Sequence, residues 1–401
     1  MHNAPHQFEP LLPGYTRLEP LLSKAHDLAL AATSLSSIHA PPELRELLRS
    51  MNSYYTNRIE GQHTRPHEIE QALRKDFSSD ARLAARQRLA LAHIAAEEHL
   101  ERRYQTVEDA AALYKPQAVQ ELHQDLFGRL PASDLAPAEG QAIVPGHWRE
   151  REVQVGRHIA PTHTALHAFL NRWSSFYGSI QRSDAALVAA AASHQRLGWI
   201  HPFVDGNGRV MRLHTHLWLH AMGYTGGLWS PLRGFARNAE RYYALLAAAD
   251  EPRRGDLDGR GNLSEQALVD WIHFVLDICR DQVDFMHQLL ELGSMKSRLE
   301  ACLIYESVVL KSGIRPEALR AMHYLYLSGE NLSRGEFKSM LGLGERSATD
   351  TLSALLRRGL LKTDSPQGKV RFGLPQHALR FLFPRLWPEA EADAHPSQPS
   401  P

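Results

Sequence analysis

A twelve-residue segment rich in glycine and charge separates two apolar stretches and restricts the fold of the whole chain. The segment is His201–Arg212, with the sequence HPFVDGNGRVMR. Apolar residues recur at three- and four-residue spacing over Asp184–Trp199 before it and over Arg209–Met222 after it, which predicts two buried helices. Gly206 and Gly208 allow the backbone to turn tightly between them. The chain is therefore expected to build a helical bundle around a short loop.

The side chains of this loop suit the binding of phosphate groups beside a proton acceptor. Successive N–H groups at a turn that opens into a helix form an anion site. Asp205 offers a hard oxygen ligand of the kind that Mg²⁺ prefers. Arg209 and Arg212 lie three residues apart, so a helix places both guanidinium groups on one face, where they can bind phosphate oxygens. His201 is a candidate general base near neutral pH.

The same string resembles the signature of the Fic family, H-x-F-x-[DE]-G-N-G-R-x-x-R, at all eight specified positions. A glycine turn with a solvated arginine pair is the weaker interpretation. The resemblance covers roughly residues 40–290. It implies a mainly α fold, a Fic-type helical bundle with a small β-hairpin flap. It also implies an enzyme that transfers AMP from ATP, with Mg²⁺, to a Ser, Thr or Tyr hydroxyl of a target protein or of itself.

The resemblance assigns roles to individual residues. His201 is implied to be the catalytic base and Asp205 to bind Mg²⁺, while the phosphates lie over Gly206–Gly208 and are held by Arg209 and Arg212. The residues implied to contact the nucleotide are Glu60, Val153, Gln154, Val155, Gly156, His201, Gly206, Asn207, Gly208, Arg209, Val210, Met211, Arg212, Tyr242, Tyr243 and Asp250.

Two of these assignments have alternatives in the sequence. Tyr242 and Tyr243 resemble a tyrosine pair that lies near the adenine and ribose in many family members, and aromatic faces suit base stacking. Packing in the core is the alternative for either tyrosine. Asp250 stands where the family often has Asn, so the resemblance carries less weight at that position.

A short flap is predicted between the helices. Val153, Val155 and Ile159 alternate with polar residues around Gly156, which predicts a β-hairpin. The segment Val153–Pro161 resembles the family's flap, V-x-V/I-G-x-x-x-x-P, whose backbone binds the target peptide by strand addition. A purely structural hairpin is the alternative.

A second motif predicts autoinhibition. Residues 56–61, with the sequence TNRIEG, resemble the family's inhibitory motif, [ST]-x-x-x-E-[GN]. The resemblance implies that Thr56, Glu60 and Arg212 form an inhibitory contact, in which Glu60 pairs with Arg212 and blocks the γ-phosphate. A Glu–Arg pair competes for the same guanidinium group as phosphate. The alternative is a solvated glutamate at a helix end.

The C-terminal part has a different pattern. Three helices followed by a hairpin predict a winged helix-turn-helix. Between Asn331 and Arg380 nine residues are basic and four are acidic, so DNA binding and protein docking are supported equally. The predicted elements are Pro316–Leu327, Ser333–Leu341, Glu345–Arg358, Leu360–Thr363 and Lys369–Phe372.

The remaining pattern divides the chain into five segments. They are an N-terminal helical region with the inhibitory motif (1–110), a catalytic core (111–290), a connecting helix (291–313), the winged helix (314–387) and a disordered tail (388–401). A loop is predicted over Pro131–Pro145. Further helices are predicted at Leu18–Ser34, Pro42–Ile59, His67–Lys75, Ala81–Arg103, Lys115–Leu130, Thr164–Tyr177, Asn238–Ala249, Ser264–Phe285 and Gln288–Ser312.

Composition narrows the remaining possibilities. The formal net charge of +0 favours neither nucleic acid nor an acidic partner for the whole chain. We find no signal peptide and no membrane span, so a cytoplasmic protein without membrane contact is expected. Cys279 and Cys302 are predicted to be buried thiols. His216 and His220 have the spacing of some zinc sites, but the sequence offers no third ligand, which favours packing or surface roles.

Three other functions stay open from the sequence. The chain could be a DNA-binding regulator whose Fic-like core acts as a sensor. The same site could instead remove AMP, or transfer another phosphate-linked group. The sequence also leaves open whether the chain forms a homodimer. An intact His201 favours the AMP transferase over the sensor.

Overall fold

The computed structural model describes residues 2–38, 40–136, 142–180 and 183–394. Over these residues the chain is mainly helical and has two small hairpins, which confirms the predicted fold class. The helices of the N-terminal half are α1 (Tyr15–Ser36), α2 (Pro42–Ile59), α3 (Pro66–Leu73), α4 (Ala81–Arg103), α5 (Val107–Ala112), α6 (Pro116–Phe127), α7 (Ala132–Leu135), α8 (Leu166–Tyr177) and α9 (Ser183–Ile200).

The C-terminal half continues the helical pattern. Its helices are α10 (Asn207–Ala221), α11 (Pro231–Arg237), α12 (Ala239–Asp250), α13 (Glu265–Leu289), α14 (Leu292–Ile304), α15 (Leu319–Ser328), α16 (Arg334–Leu341), α17 (Glu345–Arg357), α18 (Leu379–Leu382) and α19 (Pro388–Ala394). The strands are β1 (Gln154–Val155), β2 (His158–Ile159), β3 (Leu361–Thr363) and β4 (Val370–Phe372), and they form the antiparallel pairs β1–β2 and β3–β4.

The chain forms two compact units that are not continuous in sequence. One unit comprises the described residues of 1–36, 52–64 and 72–284, and the other those of 37–51, 65–71 and 285–401. Helix α2 is therefore divided: its residues 42–51 belong to the second unit and its residues 52–59 to the first. The five sequential segments have no one-to-one counterpart in this division and stay a prediction.

Helix α10 lies at the centre of the first unit. It packs against α4, α5, α6 and α9, and most of its side chains are buried, including Leu213, Leu217 and Trp218. A helix that is buried on nearly all sides has no need of a polar face, which explains its apolar sequence. Several polar side chains of α10 are buried as well, among them the two arginines at its start, Arg209 and Arg212.

Within the second unit, the three helices α15, α16 and α17 are followed by the hairpin β3–β4. Ser333 caps α16 and forms a capping box with Glu336. An isolated bridge between Leu332 and Val370 extends the hairpin. This element order agrees with the expected one, and the winged-helix assignment itself stays a prediction.

Three sequence expectations are wrong. The long helix predicted over Gln288–Ser312 is interrupted, because Glu291, with φ −58° and ψ 110°, leaves the helical conformation between α13 and α14. The interruption lets Leu290 and Met295 both reach the core. Pro388–Ala394 is helical, whereas a disordered tail was expected, and the rest of that tail lies outside the described residues. The predicted loop over Pro131–Pro145 contains the short helix α7, and its residues 137–141 lie outside the described part.

Besides α7 and α19, three described helices were not predicted. All are short, α5 with six residues, α11 with seven and α18 with four. The side chain of Thr106 caps α5, and that of Ser230 caps α11. Caps of this kind stabilise helices that are too short to show a clear apolar period.

Cys279 and Cys302 are free, buried thiols, as expected, and burial raises the pKa of each to about 12. Among the described residues, the structure has no helix whose length and apolarity suffice to span a bilayer.

Candidate active site

The glycine-rich loop between α9 and α10 is held in one conformation by its own side chains. The side-chain amide of Asn207 accepts a hydrogen bond from the backbone N–H of Phe203 and donates one to the carbonyl oxygen of Phe203, both at 2.9 Å. Gly206 has a φ of 81° and lies so close to Phe127 that an added Cβ would come within 2.3 Å of the ring. Glycine is therefore required at this position both for its backbone conformation and for space.

His201 also has a left-handed backbone, with a φ of 51°. Residues other than glycine rarely adopt this conformation, and strained backbone of this kind is enriched at functional sites. The carbonyl oxygen of His201 accepts a hydrogen bond from Arg149 Nε at 2.8 Å. Burial lowers the pKa of His201 to about 4, with further lowering by His158 and Arg149. The imidazole is therefore neutral near pH 7 and able to accept a proton.

The two arginines of α10 face the end of α2. Arg209 Nε donates to Asn57 Oδ1 at 2.9 Å. Arg212 Nε donates to Thr56 Oγ1 at 2.9 Å, and its Nη2 donates to Glu60 Oε1 at 2.5 Å. The structure thus brings together Thr56, Glu60 and Arg212, the three residues that the second motif singled out.

This ion pair has one buried and one partly exposed partner. The Arg212 side chain is 1% exposed and that of Glu60 27%. Burial opposes the charge of Glu60, but Arg212 and Arg209 outweigh it and lower the pKa of the carboxyl group. Burial likewise opposes the charge of Arg212, and Glu60 more than offsets it and raises the pKa of the guanidinium. Both groups are therefore charged near pH 7.

Gly208 leaves the space that the Glu60 carboxylate occupies. A Cβ at Gly208 would lie 2.2 Å from Glu60 Oε1 and 3.1 Å from Arg212 Nη1. The carboxylate thus lies directly over the glycine turn at the start of α10. An anion bound at that helix start would meet its N–H groups and the arginine that now binds Glu60.

A cavity of about 560 Å³ adjoins the loop, a volume typical of small-molecule sites. The cavity is lined by residues of the His201–Arg212 loop, of the flap and of α12. The predicted site residues that line it are Glu60, Val155, Gly156, His201, Asn207, Gly208, Met211, Arg212, Tyr243 and Asp250. The predicted residues outside its lining are Val153, Gln154, Asp205, Gly206, Arg209, Val210 and Tyr242.

The tyrosine pair divides between the core and the cavity. Tyr242 is fully buried, and its hydroxyl lies 3.0 Å from His194 Nε2. Tyr243 is 46% exposed, and its hydroxyl donates to the carbonyl oxygen of Ile59 at 2.6 Å. Neighbouring residues on a helix point in different directions, so only Tyr243 offers its ring face to the cavity.

Asp250 contributes an unusual carboxyl group to the cavity wall. Burial raises its pKa to about 7, against the lowering effect of Arg196. Gln195 Nε2 donates to Asp250 Oδ1 at 2.7 Å. Near neutral pH a large fraction of this carboxyl group is protonated, so it can donate as well as accept a hydrogen bond.

Asp205 is the exposed carboxylate of the loop. Its Oδ1 accepts a hydrogen bond from the backbone N–H of Gly206 at 2.6 Å, and its carbonyl oxygen lies 3.3 Å from His123 Nε2. Mg²⁺ is commonly bound by one or two carboxylates together with phosphate oxygens. An exposed carboxylate next to an anion-binding turn is suited to be such a ligand.

The predicted flap is a two-stranded hairpin, in which Gln154 pairs with Ile159 and Val155 with His158. Val155 and Ile159 are each 47% exposed. Gly156, at the turn, has a φ of 59°. Among the described residues this sheet has two strands, so each strand has an edge with no neighbouring strand.

Two residues that sequence reasoning missed connect the flap to the loop. The buried Arg149 donates to the carbonyl oxygens of His201, Arg151 and Pro161, the last at 2.5 Å. His158 Nε2 lies 2.8 Å from the carbonyl oxygen of Trp199. Both contacts span more than 40 residues in the sequence, and nothing in the local pattern indicates them.

Comparison with known proteins shows which families and structures this chain resembles. The family model described as "Fic/DOC family" matches residues 113–219. A "Protein adenylyltransferase Fic" from Drosophila mojavensis is 34% identical over 132 residues, which is 33% of this chain and 23% of the relative. The protein of the same name from Drosophila melanogaster is 34% identical over 33% of this chain and 24% of its own length. The match thus spans about a quarter of these curated relatives.

A solved structure agrees in fold over most of the chain. A Fic family protein from Desulfovibrio desulfuricans G20 superposes with a TM-score of 0.50 and 16% identity, covering 92% of this chain and 99% of that chain. The matched domain includes the whole His201–Arg212 loop. Residues 113–219 of this chain are thus similar to the Fic/DOC family, and the similarity to these relatives covers that part of the chain.

Proposed function

We propose that this chain transfers AMP from ATP to a hydroxyl group on a protein, and that Glu60 restrains the reaction by occupying Arg212. The observation that carries the proposal is the Glu60–Arg212 ion pair above Gly208, at the edge of a cavity that His201 also lines. A proton acceptor, a phosphate-binding helix start and two arginines are the groups that such a reaction needs.

The reaction follows from the chemistry of these groups. ATP binds with its phosphates at the start of α10, and Arg212 holds the γ-phosphate once Glu60 has moved away. His201 takes the proton of the target hydroxyl, whose oxygen attacks the α-phosphorus. The bond from the α-phosphorus to the bridging oxygen breaks, and pyrophosphate leaves in line with the attack. A well-placed base contributes about 10²–10⁴-fold to the rate.

Asp205 is the residue that would hold Mg²⁺. When bound, the ion would neutralise phosphate charge and orient the leaving pyrophosphate. The hydrogen bond from the Gly206 N–H to Asp205 Oδ1 fixes the carboxylate next to the phosphate turn. A reaction without Mg²⁺ should therefore be slow, and Asp205→Asn should raise the Mg²⁺ concentration required.

The open edge of the flap supports a target held by its backbone. Strand addition gives register through main-chain hydrogen bonds and makes few demands on side chains. The exposed Val155 and Ile159 provide apolar contacts on the two strands. A target segment in an extended conformation, with its hydroxyl residue opposite His201, is the substrate that this edge fits.

For the C-terminal unit we propose a winged helix that docks a protein. Of its nine basic residues between 331 and 380, four have carboxylate partners: Lys338 with Glu345, Arg358 with Glu306, Lys362 with Glu46 and Arg371 with Glu43. These pairs reduce the positive charge available for phosphates. A gel shift with duplex DNA whose affinity falls steeply with salt would contradict this proposal.

The activity is tested with α-labelled ATP and Mg²⁺ on the full chain. Weak labelling is expected for the wild type, strong labelling for Glu60→Gly, and none for Glu60→Gly combined with His201→Ala. ATP binding by each variant is measured in parallel. Label from γ-labelled ATP would indicate phosphate transfer instead, and normal ATP binding without any labelling of the Glu60→Gly variant refutes the proposal.

A further inference from the structure

A cluster of buried ligating groups lies between α4 and α10, outside the cavity. Glu97 and Glu101 are one turn apart on α4, and His216 faces them from α10. His216 Nε2 lies 2.9 Å from Glu101 Oε1 and 3.5 Å from Glu97 Oε1. One ligand atom from each residue lies within 4.8 Å of the other two. All three side chains are buried.

His93 adds a fourth group to this cluster. It lies one turn before Glu97 on α4 and is 0% exposed. Within the described part of the chain, neither of its ring nitrogens has a hydrogen-bond partner, although Nδ1 lies 3.6 Å from Glu97 Oε2. Burying a polar group without a hydrogen bond is unfavourable, so such groups call for an explanation.

We propose that His93, Glu97, Glu101 and His216 bind one divalent transition-metal ion, with Zn²⁺ preferred. Ligand bonds of about 2.0–2.1 Å in a tetrahedral site place neighbouring ligand atoms about 3.3 Å apart. The separations of 2.9 and 3.5 Å from His216 Nε2 to Glu101 Oε1 and Glu97 Oε1, and of 3.6 Å from His93 Nδ1 to Glu97 Oε2, lie close to that value. Two carboxylates carry the charge that a divalent ion neutralises, and two imidazoles favour a transition metal over Mg²⁺ or Ca²⁺.

The surroundings of the cluster resemble those of a structural site. Asn52 Nδ2 donates to Glu97 Oε1 at 2.7 Å and orients that carboxylate, as outer hydrogen-bond partners of metal ligands do. Four protein ligands leave no open position for substrate, which is typical of structural zinc. The sequence had paired His216 with His220, whereas in the fold His216 meets glutamates more than 110 residues earlier in the chain.

The ion would fix the helix that carries the phosphate-binding arginines. Arg212 and His216 are one turn apart on α10, so a bond at His216 would anchor α10 to α4 just behind Arg212. This role does not depend on the proposed AMP transfer, because anchoring requires only the two helices.

The test measures metal on the untagged full chain. Metal content is determined by mass spectrometry after purification, and chelator-treated protein is titrated with Zn²⁺ and with Co²⁺. We expect about one equivalent of metal per chain, visible absorption bands of tetrahedral Co²⁺, and a melting temperature that falls by several degrees after chelation and recovers with Zn²⁺.

Matched variants locate the metal. Glu101→Gln and His216→Asn should lose it, while His99→Asn on the exposed side of α4 should keep it. His93→Asn removes a side chain without hydrogen-bond partners among the described residues, so it serves if the other variants fail to fold. A folded wild type that binds neither Zn²⁺ nor Co²⁺ overturns the proposal, and so does metal binding that every variant retains.

Discussion

Replacing Glu60 should both activate the protein and weaken it, because one contact limits activity and contributes to stability. A hydrogen bond to a charged group contributes about 1.5–3 kcal/mol. The Glu60 side chain is 27% exposed, so water competes for it and the lower end, about 1.5–2 kcal/mol, applies. Since 1.4 kcal/mol is a factor of ten, Glu60→Gly should raise the rate of AMP transfer about 10- to 30-fold.

The assay compares initial rates of label transfer at saturating Mg²⁺ with the free energy of unfolding in urea. Thr56→Val is the matched control: it removes one hydrogen bond to Arg212 but leaves the competing carboxylate in place. It should lose about 1 kcal/mol of stability and stay inhibited. Equal transfer rates for Glu60→Gly and the wild type, with ATP bound by both, would refute the reasoning. Activation by Thr56→Val to the same level would refute it as well.

Three further outcomes are expected. In the Glu60→Gly background, kcat/KM should stay level from pH 8 to pH 6. The pKa of His201 is about 4, so its imidazole is protonated and stops accepting a proton only as the pH falls toward that value. Half-maximal activity near pH 6.5 would contradict this prediction. Gly206→Ala should lose about 1–3 kcal/mol of unfolding free energy through its φ of 81° and the contact with Phe127, and an unchanged urea midpoint would speak against it. Asn207→Asp replaces the donor to the Phe203 carbonyl with an acceptor and should lower stability by a similar amount, about 1–3 kcal/mol, with Asp205→Asn as an unaffected control in thermal melting.

The sequence predicted those structural features that depend on residues close to one another in the chain. The turn at Gly206, the paired arginines of α10 and the hairpin around Gly156 each follow from a pattern within about a dozen residues. Helix α4 has the predicted bounds, because Asp80 caps its start and its sequence is rich in the strong helix formers Ala, Leu, Glu and Arg. The long helix over Gln288–Ser312 was wrong because tertiary packing, which periodicity does not report, turns the chain at Glu291.

The contacts that complete the site join distant parts of the chain. Arg149 reaches His201 across 52 residues, and Asn57 reaches Arg209 across 152. Such pairs leave no local period, so one sequence cannot reveal them. The sequence gives no reason to distinguish Tyr242 from Tyr243, but Tyr242 is buried and Tyr243 is exposed. The packing around α12 decides which of the two rings faces the core.

The left-handed backbone of His201 has an evolutionary consequence. A residue with a Cβ in that conformation raises the energy of the loop by about 1–2 kcal/mol, which a glycine would not. A descendant of this chain released from catalysis would therefore be free to drift toward glycine or asparagine at position 201, while Gly206 and Asn207 would still be needed for folding. Position 201 can thus serve as a marker in related sequences: a histidine there indicates selection for chemistry, and its replacement within an otherwise intact loop indicates a fold retained for another purpose.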